Sequence, residues 1–177
     1  MDDLALELGM SKKTLYVHFG GKDEIMRAII DEFGAEIRAE ADALLLDRRL
    51  NFAGKLRGFM EGMMRRLSAV NPAFVRDLQR FAPELHQLVI ELRQRNIPYV
   101  FGRFIEEGQR SGMVRTDLNV GFAVEFYLQA VQGLFQPATL ERMPYAPREI
   151  IHHAITLFFG GLLTPAGHKE YEKLFPR

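Results

Sequence analysis

Between Gly9 and Lys22 the sequence carries Lys12, Lys13 and Lys22, the hydroxyls of Ser11, Thr14 and Tyr16, and His18, with no acid among them. Asp2, Asp3 and Glu7 lie before this stretch, and Asp23 and Glu24 follow it. Ammonium groups, hydroxyls and an imidazole on one short segment are donors for phosphate oxygens and for base edges, the two kinds of contact that nucleic-acid binding requires. A solvated helical hairpin with a few lysines has the same composition, so residue types alone leave both readings open. The chain as a whole has a formal net charge of zero. That excludes a basic coat that binds any polyanion and confines such a function to this stretch.

The elements that must position these groups are helices. Asp2 or Asp3 can cap a short helix with Leu4, Ala5 and Leu8 turned inward, ended by Gly9. Ser11 is an N-cap for a second short helix to about His18, which Gly20-Gly21 breaks. Two short helices joined by a glycine-containing turn make a helix-turn-helix. Ala5 and Gly9 permit a close crossing, and Leu4, Leu8, Met10 and Leu15 supply the shared apolar contact. The expected DNA-facing set is Ser11, Lys12, Lys13, Thr14, Tyr16, Val17, His18 and Lys22. Such a helix fits the major groove, with the positive end of its dipole favouring phosphate.

The segment MDDLALELGMSKKTLYVHFGGKDEIM closely resembles the DNA-binding segment of the TetR/AcrR family of transcriptional regulators. There a D-I-A-x-x-x-G-V-S-like stretch leads into K-G-T-L-Y-x-Y/H-F and then S-K-E-E-L. The matching positions are Asp3, Leu4, Ala5, Gly9, Ser11, Lys12, Thr14, Leu15, Tyr16, His18, Phe19, Lys22, Asp23, Glu24 and Ile25. The resemblance implies that Thr14, Tyr16, His18 and Lys22 hold phosphates, that Lys12, Lys13 and Val17 face the groove, and that Leu15 and Phe19 are core. Lys13 stands where glycine is frequent. Gly21 stands where serine or asparagine usually caps, which predicts a looser start to the next helix. Family members also carry a helix before this segment. Its absence here would leave Leu4, Leu8, Leu15 and Phe19 short of cover, and predicts a natural chain that continues upstream of Met1. Further on, IEEGQRSGMVRTDLN resembles the family's E-G-x-x-x-G-x-x-R-x-D element.

The remaining chain reads as an all-α body. At 177 residues and 47 % hydrophobic content it can bury a sizeable core. It has no cysteine, so disulfides and thiolate metal sites are excluded. Its longest apolar run, AITLFFGGLL, is about half of a membrane span, and no signal peptide is legible, so a soluble cytoplasmic protein is expected. A long helix starts near Lys22, with Ile25, Ile29, Ile30, Phe33 and Ile37 at helical spacing. Asn51 can cap the next. Asn71-Pro72 and Ala82-Pro83 are breaks with a short helix between them, and Pro98 predicts a kink or interruption in a helix over Glu84 to Ser111. Helices over Asn119–Phe135 and Arg148–Leu163 complete the pattern. The expected organisation is a helix-turn-helix head lacking its first helix, residues 1–27, and a helical-bundle effector-binding and dimerisation domain, residues 28–177.

Phe59, Met60, Met63, Met64, Phe74, Phe81, Phe101, Phe104, Phe126 and Tyr127 are soft and aromatic. Such side chains fill ordinary cores, and they also line adaptable apolar pockets. The resemblance implies a small apolar effector. His86, Arg103, Gln129 and Gln132 remain open as its polar orienting group. Gly121, Phe126, Ala130, Gly133 and Leu134, with Ile155, Phe158, Phe159 and Leu162, set small beside large at helical spacing. That pattern suits intrachain packing and a two-fold helical interface equally, and the resemblance favours a homodimer. Glu149-x-x-His152 with His153 is one metal-type pair where a di-iron bundle needs two plus further glutamates, so no metal and no cofactor is expected. No catalytic constellation is legible, and the chain is not expected to be an enzyme. The expected function is a regulator that binds a near-palindromic double-stranded operator as a homodimer and represses until a small apolar effector releases it. The alternative is a helical ligand-binding and dimerising protein without DNA-binding activity.

Overall fold

Helix-forming periodicity runs through the chain, and each element stops where a cap or a proline stops it. The computed structural model describes residues 1–70, 77, 78 and 80–174. Among these the helices are α1 (Asp2–Glu7), α2 (Lys12–His18), α3 (Lys22–Leu46), α4 (Phe52–Ser68), α5 (Pro83–Arg110), α6 (Val120–Leu134), α7 (Pro137–Leu140), α8 (Pro147–Leu162) and α9 (Pro165–Leu174). The expected break at Asn71-Pro72 and the candidate Phe74 lie outside the described residues.

Side-chain caps stand where the sequence places them. Ser11 Oγ accepts from Thr14 N at 3.0 Å, and the Asn51 and Asn119 amide oxygens accept from Gly54 N and Phe122 N at 2.8 and 3.0 Å. One expectation changes. Met1, not an aspartate, is the N-cap of α1, which leaves Asp2 in its first turn. Gly21 caps α3 without a side chain; Glu24 accepts from Gly20 N at 2.5 Å, one residue before the cap, so no side chain serves the helix's first-turn N–H groups.

Gly9 has φ +63° and ends α1 in a Schellman motif, with Gly9 N bonded to Leu6 O and Met10 N to Ala5 O. Gly112, φ +73°, ends α5 the same way, through Gln109 O and Gly108 O. The E-G-x-x-x-G-x-x-R-x-D element is therefore a helix terminus and its return. Glu107 pairs with Lys55, and Arg115 binds Asp117 at 2.7 Å. Gly108 lets Phe52 and Val114 pack against the helix backbone.

Pro98 does not interrupt α5, which is one helix from Pro83 to Arg110. Pro98 and Gln94, whose carbonyl loses its usual donor, both lie on the exposed side. The opposite side packs against α3 and α6 and holds the helix through. α3 and α5 approach closely at Gly34, where a Cβ would meet Leu92. Asn96 Nδ2 donates to Gly34 O at 2.8 Å and Asn96 Oδ1 accepts from Arg38 at 2.5 Å, which fastens that crossing. Lys55 is buried and bridges Glu107 and Leu45 O, both at 2.9 Å. It ties α4 to α5 with its charge paired, as a buried cation requires. The centre is aromatic: Phe101 of α5 meets Phe59 of α4, Tyr127 of α6 and Phe158 and Phe159 of α8, and Phe59 also meets Phe104.

Candidate nucleic-acid interface and effector cavity

α1 packs against α2, and the two bury Ala5 and Leu15 between them. Phe19 is half-buried. Leu4 and Leu8 depart from the inward orientation expected of them and are 38 % and 58 % exposed, because no described element lies across from them. The outward face of α2 carries Lys13, Tyr16 and Val17, with Lys22 exposed at the start of α3. Spacings of three and four residues put the first three on one side of the helix. Lys13, Val17 and Lys22 make no ion pair or hydrogen bond among the described residues. His18 is exposed in the last turn. Ser11 and Thr14 share a hydroxyl contact of 2.7 Å at the cap. Lys12 differs from its neighbours: its ammonium binds the Asp2 carboxylate at 2.9 Å, a link from α2 to α1. That hydrogen bond raises the Lys12 pKa and lowers that of Asp2.

An apolar cavity of ≈ 260 Å³ opens in the body. From α3 it takes Met26, Ile29, Ile30, Phe33 and Ile37; from α4, Phe59, Met63 and Leu67. From α5 it takes a stripe over His86, Val89, Arg93, Ile97 and Phe101, and from α6 Tyr127 and Val131. Ile151 and Ile155 of α8 close it. Of the expected pocket residues, Phe59, Met63, Phe101 and Tyr127 line this space. Met60 and Phe104 are buried beside it in the core, and Tyr171 donates its hydroxyl to Met60 Sδ. Met64 is half-buried outside the lining. Phe81 is exposed under the Arg80 guanidinium, and Phe126 is exposed on α6.

Among the four open orienting groups, only His86 lines the cavity. Burial lowers its pKa, and Arg93 adds to the shift. Arg103 is bound to Asp42 and Tyr99, Gln129 donates to Glu125, and Gln132 Nε2 is buried without an acceptor among the described residues. Arg93 is a lining residue that the sequence reading missed. Its guanidinium lies 4.4 Å from the Phe135 ring centroid, and burial pulls its pKa down to about 10. The same apolar surroundings push the Tyr127 hydroxyl well above its ordinary value. The signal is present in the sequence: Arg93 has Val89, Ile90, Asn96 and Ile97 at helical reach, and no carboxylate there. The α3 contribution is legible only as a core stripe.

The expected dimer residues divide by burial. Ile155, Phe158, Phe159 and Leu162 are buried in the chain's own core, so they cannot form an exposed contact face. Gly121, Phe126 and Gly133 are exposed, and Ala130 and Leu134 are half-buried. Phe122 on α6 and Leu157 on α8 join the outward apolar face at 68 % and 77 % exposure. Beside them Gly133, Gly160 and Gly161 have open space where a Cβ would stand. Glu149 caps α8 by accepting from Ala146 N at 2.6 Å, leaving His152 and His153 exposed without it.

The fold and its head make a helix-turn-helix followed by a helical body, and known proteins share that arrangement. The model of the family "Bacterial regulatory proteins, tetR family" matches residues 1–29. An uncharacterized HTH-type transcriptional regulator of Bacillus subtilis (strain 168), YvaF, is 20 % identical over 162 residues, 92 % of this chain and 84 % of that protein. The crystal structure of regulatory protein TetR from Rhodobacter sphaeroides superposes with a TM-score of 0.63 at 19 % identity, over 92 % of this chain and 87 % of that one. PfmR, a TetR family transcriptional regulator from Thermus thermophilus, gives 0.54 at 26 % identity over 89 % and 86 %. Residues 1–29 thus match the DNA-binding segment of the tetR family, and the helical body shares its fold with solved TetR-family regulators. Among its described residues no helix is long and apolar enough to cross a membrane.

Proposed function

We propose that this regulator is a ligand-responsive repressor that works in the cytoplasm as a homodimer on a near-palindromic operator. The observation that carries the reading is a shared helix. α3 begins at Lys22, at the edge of the helix-turn-helix, and four residues later starts to line the cavity, from Met26 to Ile37. α3 also runs unbroken past residue 27, so head and body have one rigid element in common. A molecule seated between α3 and α5 acts on the same helix that carries α2. In the dimer the two α2 helices would sit one helical turn, roughly 34–36 Å, apart in successive major grooves. Ligand releases DNA if it binds the wrongly spaced state better, a coupling of roughly 1–3 kcal/mol in such systems. The exposed face of Phe122, Phe126, Gly133, Leu157 and Gly161 supports pairing of α6 and α8 across a two-fold axis.

A second reading has an observation of its own. Leu4, Leu6, Leu8 and Met10 are exposed around the head, which two short helices brace weakly by themselves. On that reading the chain is a ligand-binding dimer without DNA-binding activity. Electrophoretic mobility shifts on the DNA adjoining its own gene decide between them. Retarded fragments that are released by an apolar compound support the repressor. Binding of the compound with no retarded fragment at low salt supports the second reading.

A further inference from the structure

The cavity wall is apolar except at one place on α5, where His86 and Arg93 stand on one face of the helix. Arg93 differs from most of the arginines near it; Arg38 binds the Asn96 amide and Arg80 lies exposed over the Phe81 ring. Arg27, Arg66, Arg95 and Arg103 all meet carboxylates, of Glu84, Glu40, Asp31 and Asp42 respectively, though each lies nearer to solvent or at the protein's edge. Arg93 has no acid and no hydrogen-bond acceptor among the described residues; it has the Phe135 ring beneath it and the cavity beside it. A half-buried guanidinium that opens onto an apolar cavity, with no protein acceptor among the described residues, is poorly solvated unless something in the cavity pairs with it. Asn96 on the wall is already spent on Gly34 O and Arg38, which leaves the Tyr127 hydroxyl as the wall's other neutral polar group besides His86. The surrounding Phe33, Phe59, Phe101 and Val131 offer nothing polar to a ligand's remaining atoms.

We propose that the ligand of this cavity is an amphipathic anion, with an apolar body among the α3, α4 and α6 side chains and a carboxylate held by the Arg93 guanidinium. The inference rests on the cavity being the effector site. It narrows the expected apolar effector to one with a charged end. Arginine meets a carboxylate with two parallel hydrogen bonds, and in an apolar wall such a pair is worth far more than in water. The cation stays in place without its ligand because the Phe135 face partly offsets its desolvation. A cavity of ≈ 260 Å³ lies near the lower end of ligand pockets, which start at roughly 300 Å³, and suits a small ligand such as a medium-chain acid.

Calorimetry and thermal melting of the full chain with octanoate and with octan-1-ol test this, because the two differ in the head group alone. Octanoate is expected to bind at least about tenfold more tightly and to raise Tm further. Arg93→Met, which keeps the stem and removes the charge, should lose that preference, leave octan-1-ol binding intact and melt no lower than the wild type. Arg93→Lys keeps a point charge without the fork and should retain part of the preference, and it serves if the methionine variant does not fold. Equal binding of alcohol and acid, or undiminished octanoate binding by Arg93→Met, overturns the anion pairing while leaving the cavity as an effector site. If neither compound binds, the effector-site reading falls and the inference falls with it.

Discussion

Lys13 and Lys22 are both exposed and unpaired among the described residues, yet on the proposed docking they meet different parts of a duplex. Lys22, beside the start of α3, would touch phosphate. Lys22→Ala is then expected to weaken binding to every sequence alike and reduce the slope of log K against log salt by about 1. Lys13, on the outward face of α2, would reach a base edge. Lys13→Ala should change the preferred operator sequence, read by selection from a random-site pool, and a uniform loss instead would move it to the phosphate class. Lys12 must exchange Asp2 for any DNA contact, which makes it the weakest of the three. His86 brings a pH dependence whose sign follows from its lowered pKa. The unfolded chain takes up a proton near pH 6.5 that the folded site resists, so the stability tied to His86 is full above that pH and declines below it. Melting between about pH 7.5 and 5.5 should show a shallower decline in His86→Gln than in the wild type.

Among the elements, the last turn of α5 is a place where a small change is costly. A Cβ at Gly108 would collide with Val114 Cγ2 and stand 2.9 Å from the Phe52 ring, and both side chains are buried. Gly108→Ala is expected to destabilise the protein by roughly 1–3 kcal/mol, a few degrees in Tm, with DNA specificity unchanged. The caps on α2, α4 and α6 are legible in the sequence because Ser11, Asn51 and Asn119 act within three residues of themselves. The continuity of α5 through Pro98 is not. It depends on α3 and α6 lying along one side and solvent along the other, and no local pattern contains that arrangement.

For the whole molecule, the outward faces of α6 and α8 carry the proposed assembly. Phe126→Glu should leave the monomer fold intact, since Phe126 is 61 % exposed, and should abolish the dimer in sedimentation and with it tight operator binding. A wild-type Tm that rises with protein concentration is the companion expectation, because association stabilises the folded state by mass action.

Local chemistry was enough for the all-α class, the helix-turn-helix and the family resemblance of the head: caps, turn glycines and apolar spacing act over a few residues, so Gly9, Ser11, Leu15 and Lys22 can be read in order along the chain. Burial is not local. Phe101 and Phe104 are three apart on one helix, yet one lines the cavity and the other is sealed in the core. Phe126 faces solvent while its neighbour Tyr127 faces the cavity. Which side of a helix meets an empty space, a packed partner or water is set by the helices crossing it. Only the tertiary structure could therefore sort the aromatic inventory, turn Ile155 and Phe158 inward, and leave Arg93 alone in an apolar wall.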